Sequence, residues 1–452
     1  MRVALVNPPA ERGYIRSGRW TRKTRGDQQW YPIWLGYATA LLEREGHECL
    51  LIDAPADNLT EDYTLTKLRK FRPKVCAVYF GYETAALDLM FADKVGTFCD
   101  KVILVGPWSY CLPEALRSTK NVQLMTYGEF EHTLLEIVES PFVYSNIKGT
   151  YWKDNLHGEI TKNPPRKLVG QEELDRIPFV TTVYKKFLKI RNYRQTSLLY
   201  PFLDLLTSRS CPHRCTYCVW IRALQREEPN RYRVRSIRNV VDELWWIRNN
   251  LNVEQVFFQD DTLPNKRALE ISQAILDEKL NICWGGYARA ELPYETLQLM
   301  KESGCRTLHV GYEVPIQQYL DIIHKDITVE QMKEFAENIH KLGLWTSATF
   351  MIFPWETENE IKETVEWCKA IKPRRMNLIQ AQPYPNTPYA ETVKEFKERY
   401  HLMTYEEMEQ WERYGFKKFY FSKRFLWETA KSPKQWRQVL GDAKGLLKFI
   451  RG

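Results

Sequence analysis

Three cysteines fall within one short stretch, Ser208-Arg209-Ser210-Cys211-Pro212-His213-Arg214-Cys215-Thr216-Tyr217-Cys218. Three thiolates at this x3 and x2 spacing can bind three irons of a cubane iron–sulfur cluster and leave the fourth iron open to an outside ligand. Structural zinc asks instead for four protein ligands in a closed tetrahedron. His213 is a local fourth donor, but it is wedged between two of the cysteines, and no second cysteine pair follows. Cys283, Cys305 and Cys368 stand singly in apolar or helical runs. The clustering points to metal chemistry ahead of disulfides, as does the placement of ten cysteines in a 452-residue chain whose start reads as a strand and not as a secretory signal.

The elements that must carry this loop come in two alternating series. The first holds strand signals at Arg2–Asn7, Cys49–Ile52, Val75–Phe80, Val102–Val105 and Val122–Thr126, with helical spacing over Ile33–Glu45. Alternation of this kind predicts a parallel sheet with crossover helices. Ligands of such sheets sit beyond the carboxyl ends of the strands. Those ends carry Asn7-Pro8-Pro9, Asp53, Gly81-Tyr82-Glu83, Gly106-Pro107-Trp108 and Tyr127-Gly128-Glu129. Residues 146–195 break the rhythm and read as a hairpin and linker. The second series predicts strands at Phe202–Leu206, Gln255–Phe258, Ile282–Gly285, Thr307–Val310, Ser347–Ile352 and Met376–Ala381, with helices such as Ile237–Asn249 and Val329–Leu342 between them.

With these residues in view, Cys211-x3-Cys215-x-Tyr217-Cys218 resembles the signature of the radical S-adenosylmethionine superfamily. The resemblance implies a 4Fe-4S cluster on Cys211, Cys215 and Cys218, whose open iron chelates the amino and carboxylate groups of S-adenosylmethionine. An electron from the cluster then cleaves the sulfonium to a 5′-deoxyadenosyl radical. It further implies that Tyr217 packs near the adenine, that Gln259 and Asp260 meet the amino end of the cofactor, that Arg289 meets its carboxylate, and that Glu313 accepts from the ribose hydroxyls. Gly304-Cys305 and Gly311-Tyr312-Glu313 match paired glycine segments, and Lys325 falls where a common lysine follows. Pro354-Trp355-Glu356-Thr357 and Pro383-Tyr384-Pro385-Asn386-Thr387 resemble two turns of the family, although Trp355 and Asn386 replace glycines and Phe353 stands where glycine is frequent. Taken singly, Asp260-Asp261 would read as a loop carboxylate pair and Glu313 as a strand-end surface residue.

The front of the chain resembles the cobalamin-binding domain fused to one branch of that superfamily, on Asn7-Pro8-Pro9, Tyr31-Pro32-Ile33-Trp34-Leu35-Gly36, Gly46-His47-Glu48, Asp53, Gly106-Pro107 and Gly128-Glu129-Phe130-Glu131. The implied cobalamin contacts are Asn7, Pro8, Tyr31, Leu35, Gly36, Gly81, Tyr82, Gly106, Trp108, Gly128 and Glu129. The Asp-x-His-x-x-Gly loop that supplies a lower cobalt ligand in the isomerase relatives is missing, and His47 and His132 lack its context. Tyr82 and Trp108 are candidates to cover that lower face, or else pack beneath the loop.

The implied architecture is an α/β chain: a Rossmann-like parallel sheet over 1–145, the hairpin and linker over 146–195, a partial (β/α)6 TIM-like barrel over 196–395, and a helical segment over 396–452. The implied activity is C-methylation of an unactivated carbon, with ring formation, rearrangement or carbon–carbon coupling without methyl transfer as the alternative. The substrate is open among a peptide side chain, a lipid or polyprenoid, and a small natural-product precursor. A one-electron reductant such as flavodoxin or ferredoxin is the expected partner, and the cytoplasm the expected location.

Composition fits this reading. Hydrophobic residues make up 44% and charged residues 27%, which excludes a disordered or collagen-like chain, and no run of apolar residues is long enough to span a membrane. The net charge of +8 is uneven: residues 1–145 hold 17 Lys+Arg against 18 Asp+Glu, whereas residues 416–452 hold ten against two. That basic tail is interleaved with Phe416, Phe419, Tyr420, Phe421, Phe425, Trp427 and Trp436. It reads as helices closing the barrel end, or as a surface for nucleic acid, membrane or an acidic partner. No appended RNA-binding β-barrel is apparent. Trp220-Ile221, just after the cysteines, are candidates to line a pocket, with core packing as the default.

Overall fold

The protein is described by a computed structural model that covers residues 1–10, 14–15, 22–23, 28–140, 144–154, 157–220, 223 and 231–430. Ile221, Trp436 and the rest of the tail beyond residue 430 lie outside the described residues. The chain divides into two compact units: residues 1–195, 201–205 and 220–252 form one, and residues 196–200, 206–219 and 253–452 the other.

In the first unit, the strands Glu48–Asp53, Arg2–Asn7, Val75–Tyr79, Lys101–Val105 and Leu124–Thr126 lie side by side in that order, all parallel. Their near-continuous Val, Leu, Ile and Ala content suits strands covered on both faces. The spatial order 2-1-3-4-5 is that of a doubly wound Rossmann-like sheet. It places the topological switch point between the carboxyl ends of Arg2–Asn7 and Val75–Tyr79. The hairpin Thr150–Lys153 and Ile160–Lys162 adds two antiparallel strands at the far edge. The helix Ile33–Arg44 is buried along nearly its whole length, and Gly36 sits where a Cβ would come 2.7 Å from Val180 Cγ2. That glycine lets two helices approach closely.

The second unit carries the parallel strands Gln255–Phe258, Trp284–Arg289, Cys305–Glu313, Trp345–Ile352 and Arg375–Gln380 in sequential order. Helices such as Asn265–Asp277, Val329–Leu342 and Glu358–Ala370 separate them. With Phe202–Leu205, these are the six strands of the expected partial barrel. The strand expected at Ile282–Gly285 runs instead from Trp284 to Arg289. Apolar character stops at Trp284, but the strand continues through Gly285 and Gly286, where a Cβ would meet Thr307 O at 2.3 Å and Leu263 Cδ1 at 2.7 Å. Close backbone approach, not hydrophobicity, extends it, and this brings Arg289 to its carboxyl end.

The described part of the carboxyl-terminal segment forms the helices Pro388–Arg399, Tyr405–Tyr420 and Lys423–Ala430. Phe416, Phe419 and Phe425 are buried, and the Tyr420 hydroxyl donates to Met376 O at 2.9 Å on the last strand. Phe421 and Trp427 are exposed. Among the described residues, no helix is long and apolar enough to cross a membrane.

Candidate active site

The cysteine loop begins at Ser210, whose φ of +74° is unusual for a residue with a side chain. The loop is pinned by its backbone: Thr216 N donates to Ile323 O at 2.9 Å, Tyr389 N donates to Thr216 O at 3.3 Å, and Cys218 N donates to Cys215 O at 3.2 Å. All three cysteines are free thiols. The Cys211 thiol is pushed up to about 12, first by burial, then by Asp261, with Cys218 and Cys215 adding to the rise. A multiply charged metal centre would offset what opposes the Cys211 thiolate. Among the described residues no set of three donors is already drawn together around a metal position, so it is the spacing of the three thiols on one loop that fits the three-thiolate side of a cubane cluster.

Next to the loop lies a connected polar group. Arg289 Nη1 is 3.6 Å from Cys215 Sγ, its Nη2 donates to Lys325 O, and its Nε is 3.1 Å from a Glu291 oxygen. Lys325 Nζ donates to Glu313 Oε1 at 2.6 Å, and the Tyr217 hydroxyl donates to the same oxygen at 2.8 Å. Burial, with the nearby Glu313 carboxylate, holds the Tyr217 phenol far above its ordinary range, so it remains a donor. Glu313 has φ +65° at a bulge in its strand. Ser210 at the start of the cysteine loop and Glu313 in the polar group both hold left-handed backbone with a side chain, strain of the kind found at ligand clamps. Gly311 is required here: a Cβ would lie 2.4 Å from Glu313 Oε1 and 3.2 Å from Lys325 Nζ.

Asp260 lies nearby but is committed elsewhere. Its carboxylate accepts from Thr207 N at 2.6 Å, Thr207 Oγ1 at 2.5 Å and Ser208 Oγ at 2.6 Å. It is fully buried, and burial raises its carboxyl despite those donors. In this arrangement Asp260 fixes the entry to the cysteine loop. Gln259, one residue earlier, is buried at the same strand end. Thr207, Ser208 and Glu291 were not singled out from sequence. Glu291 follows Arg289 by two residues, a signal that was available; the hydroxyl pair was not, because its partner lies more than fifty residues away.

In the first unit the switch-point ends carry Asn7, Pro8, Gly81 and Tyr82, with Gly106 and Trp108 just past the end of the neighbouring strand Lys101–Val105. Asn7 Nδ2 donates to Asp53 Oδ1 at 2.7 Å, and the Tyr193 hydroxyl donates to Asp53 Oδ2 at 2.8 Å. The Asn7 side-chain oxygen Oδ1 is buried and has no hydrogen-bond partner. Gly81 N and Thr84 Oγ1 both donate to Asp88 Oδ2, at 2.9 and 2.7 Å. Gly106 has φ +130°, and a Cβ there would press on Phe80 O at 3.2 Å. The Tyr82 and Trp108 rings are 5.7 Å apart, and Trp108 lies 5.9 Å from Trp220. Trp108 and Trp220 are each 1% exposed, whereas Tyr82 is half-buried, so Tyr82 is the outward ring of the three.

The other positions of this set lie in packing. Tyr31 is fully buried, stacks on Tyr193 at 3.8 Å and Tyr184 at 4.5 Å, and donates to Phe202 O at 2.8 Å. Leu35 is fully buried and Gly36 meets Val180. Gly128 takes φ +77°, and the Glu129 carboxylate pairs with Arg233, whose side chain is 8% exposed. The structure gives these residues internal partners.

Comparison with known proteins agrees with this geometry. Residues 205–368 match the model of the Radical SAM superfamily. An uncharacterized methyltransferase of Pyrococcus horikoshii is 29% identical over 402 residues, covering 86% of this chain and 82% of that protein. An anaerobic magnesium-protoporphyrin IX monomethyl ester cyclase of Rubrivivax gelatinosus is 22% identical, covering 93% and 79%. Among solved structures, the radical S-adenosylmethionine methyltransferase TsrM from Kitasatospora setae superposes with a TM-score of 0.65 at 18% identity, covering 87% of this chain and 76% of that one. The cobalamin-dependent S-adenosylmethionine radical enzyme OxsB superposes with a TM-score of 0.61 at 17% identity, covering 90% and 56%. At these identities the structures speak for the fold. With the cysteine loop and its polar neighbours in place, residues 205–368 carry a Radical SAM domain, and the chain shares the fold of the cobalamin-dependent radical enzyme and the methyltransferase on which it superposes.

Proposed function

We propose that the protein is a cobalamin-dependent radical S-adenosylmethionine C-methyltransferase acting on an unactivated carbon. The observation that carries this reading is the convergence of Cys215, Arg289, Lys325, Glu313 and Tyr217 into one polar group beside the three-cysteine loop. The first unit adds a Rossmann-like sheet whose switch point carries an orphaned Asn7 side-chain oxygen, Oδ1, and the outward Tyr82 ring, features that fit a large cofactor seated over strand ends. The methyltransferase relative and the cobalamin-dependent structural neighbour support the same assignment.

When bound, the cluster and S-adenosylmethionine supply a carbon radical that abstracts hydrogen, and cobalamin supplies the methyl group. The chain's own part is to hold and shield. Cys211, Cys215 and Cys218 provide the thiolates. Arg289 presents a guanidinium beside Cys215, suited to a cofactor carboxylate. Glu313, held by Lys325 and Tyr217, is an acceptor suited to ribose hydroxyls. Asp260, through Thr207 and Ser208, sets the entry of the loop. Tyr82 provides a flat surface at the switch point, with Gly81 and Gly106 letting backbone approach. A small one-electron donor such as flavodoxin or ferredoxin is the partner this chemistry requires.

Oxygen-free, reconstituted protein is expected to hold about four irons per chain and one equivalent of cobalamin, and to form S-adenosylhomocysteine and 5′-deoxyadenosine together in the presence of substrate. 5′-Deoxyadenosine without S-adenosylhomocysteine, in cobalamin-loaded protein turning over substrate, would overturn methyl transfer. It would favour the second reading, ring formation or coupling, which the cyclase relative covering 93% of the chain supports. Product mass separates the two: a gain of one methylene unit, or a loss of hydrogens without it.

A further inference from the structure

Thr207 stands four residues ahead of Cys211 and is fully buried. Each of its polar groups is held by a charged side chain of the second unit. Its N–H and its hydroxyl donate to Asp260, at 2.6 and 2.5 Å. Arg267 takes the other side: Nη2 donates to Thr207 O at 2.8 Å, and Nε donates to Thr207 Oγ1 at 3.3 Å. The Thr207 hydroxyl therefore accepts from a guanidinium and donates to a carboxylate, and such a chain of hydrogen bonds fixes its direction.

Arg267 is in an unfavourable place for a cation. It is 3% exposed, and it lies in the first turn of the helix Asn265–Asp277, where the helix dipole favours negative charge. Taking a guanidinium out of water is costly. The Glu270 carboxylate, 3.6 Å from Nη1, offsets part of the charge from a half-buried position. What the planar fork reaches is a carbonyl and a hydroxyl of one residue sixty positions away, a two-point contact that a lysine does not reproduce.

The segment that carries Asp260 and Arg267 is fastened on its other side to the strand that ends in Arg289. Leu263 N donates to Tyr287 O at 2.9 Å, and a Cβ on Gly286 would come 2.7 Å from Leu263 Cδ1. The Thr296 hydroxyl donates to Asn265 Oδ1 at 2.6 Å and ties down the start of the helix. Residues 259–267 thus bridge two parts of the site. Asp260 and Arg267 hold the entry to the cysteine loop, and Leu263 holds the strand whose end places Arg289 Nη1 3.6 Å from Cys215 Sγ.

We propose that Arg267 is a positioning residue: through Thr207 it locks the entry of the cysteine loop to the Arg289 strand, so that the thiols and Arg289 meet S-adenosylmethionine at a fixed spacing. It acts through its neighbours and touches no reacting atom. This deepens the proposed function and rests on one part of it, a cluster on the loop that binds S-adenosylmethionine.

The test compares full-length, cluster-reconstituted wild type with Arg267→Gln, Arg267→Lys and Thr207→Val. Three quantities are read on each: iron content, the Kd for S-adenosylmethionine by equilibrium dialysis, and the electron paramagnetic resonance spectrum of the reduced cluster with and without S-adenosylmethionine. Arg267→Gln should keep about four irons per chain. It should bind S-adenosylmethionine about tenfold more weakly, with a broadened spectrum that changes less when S-adenosylmethionine is added. Arg267→Lys, with the charge but not the fork, should recover part of the affinity. Thr207→Val removes the hydroxyl between the two charges and keeps the backbone bonds. It should weaken binding in the same direction, and it carries the test if Arg267→Gln does not fold. Wild-type affinity and spectrum on the clusters that Arg267→Gln retains, at full or reduced iron content, would show a role in folding alone and overturn the proposal, as would wild-type binding in Thr207→Val. The expected pattern in a protein that forms no S-adenosylhomocysteine supports the proposal and removes methyl transfer alone.

Discussion

The two units treat their conspicuous polar residues in opposite ways. In the second, residues from four separate stretches, Cys215 and Tyr217, Arg289, Glu313, and Lys325, meet in one connected group beside the cysteine loop. In the first, Asp53 is held by Asn7 and Tyr193, Asp88 by Gly81 and Thr84, and Glu129 by Arg233. Convergence on a place where a small ligand binds by charge needs side chains left reaching toward it. A sheet that seats a large cofactor needs loops of fixed shape, and internal hydrogen bonds supply that. The first unit's polar residues are thus tied up in separate pairs that fix loop shape, and the second unit's are joined in one connected group beside the cysteine loop.

The contrast can be broken by substitution. The largest effect is expected from Cys215→Ala, which should take bound iron from about four per chain to near zero and 5′-deoxyadenosine formation to background, as read by iron analysis and chromatography. Lys325→Met comes next. It strands the Glu313 carboxylate, whose side chain is 6% exposed, without its cation. Breaking such a pair costs about 3–5 kcal/mol, and the loss should be seen as weaker S-adenosylmethionine binding with cluster content retained. Retained affinity in Lys325→Met would remove the clamp role given to this pair.

In the first unit, the effects should appear in stability and not in cofactor content. Burial outweighs the donors on Asp53 and raises its carboxyl from 3.8 to about 6. The folded state therefore grips this proton more tightly than the unfolded chain does. The stability it contributes is present below pH 4 and is lost as pH climbs through 6, by at most about 3 kcal/mol. Denaturant titrations of wild type and Asp53→Asn should converge at low pH in their trend and diverge across that window; parallel curves would show that Asp53 ionises freely. Gly36→Ala places a methyl group against Val180 and Tyr184 and should destabilise by about 1–3 kcal/mol with iron and cobalamin contents unchanged. A loss of cobalamin at full stability would return Gly36 to the cofactor site. Tyr82→Phe is the smallest: under about 1 kcal/mol in stability, with a shift in the visible spectrum of bound cobalamin if the ring lies against it, and none if Tyr82 merely supports Trp108.

Much of this was legible in the linear chain. The cysteine spacing names its own chemistry, because three ligands on one tight loop need no long-range information to come together. The alternating apolar runs gave Arg2–Asn7 with both its ends correct and the succession of strands along the chain, since local burial dictates period and length, but not their order in the first sheet. Sequence failed where glycine replaced hydrophobicity, as in the strand that runs on through Gly285 and Gly286 to Arg289. It also could not say which residues of a matching pattern face a ligand. Asp260 is held by Thr207 and Ser208, Tyr31 is stacked between Tyr184 and Tyr193, and Gly36 is pressed on Val180. Each of these partners is distant in the chain. The residue types and their spacing fixed which chemistry is available. Only the folded arrangement decided which side chains are left to perform it, because a buried polar group must find a partner and that choice is made across the whole fold.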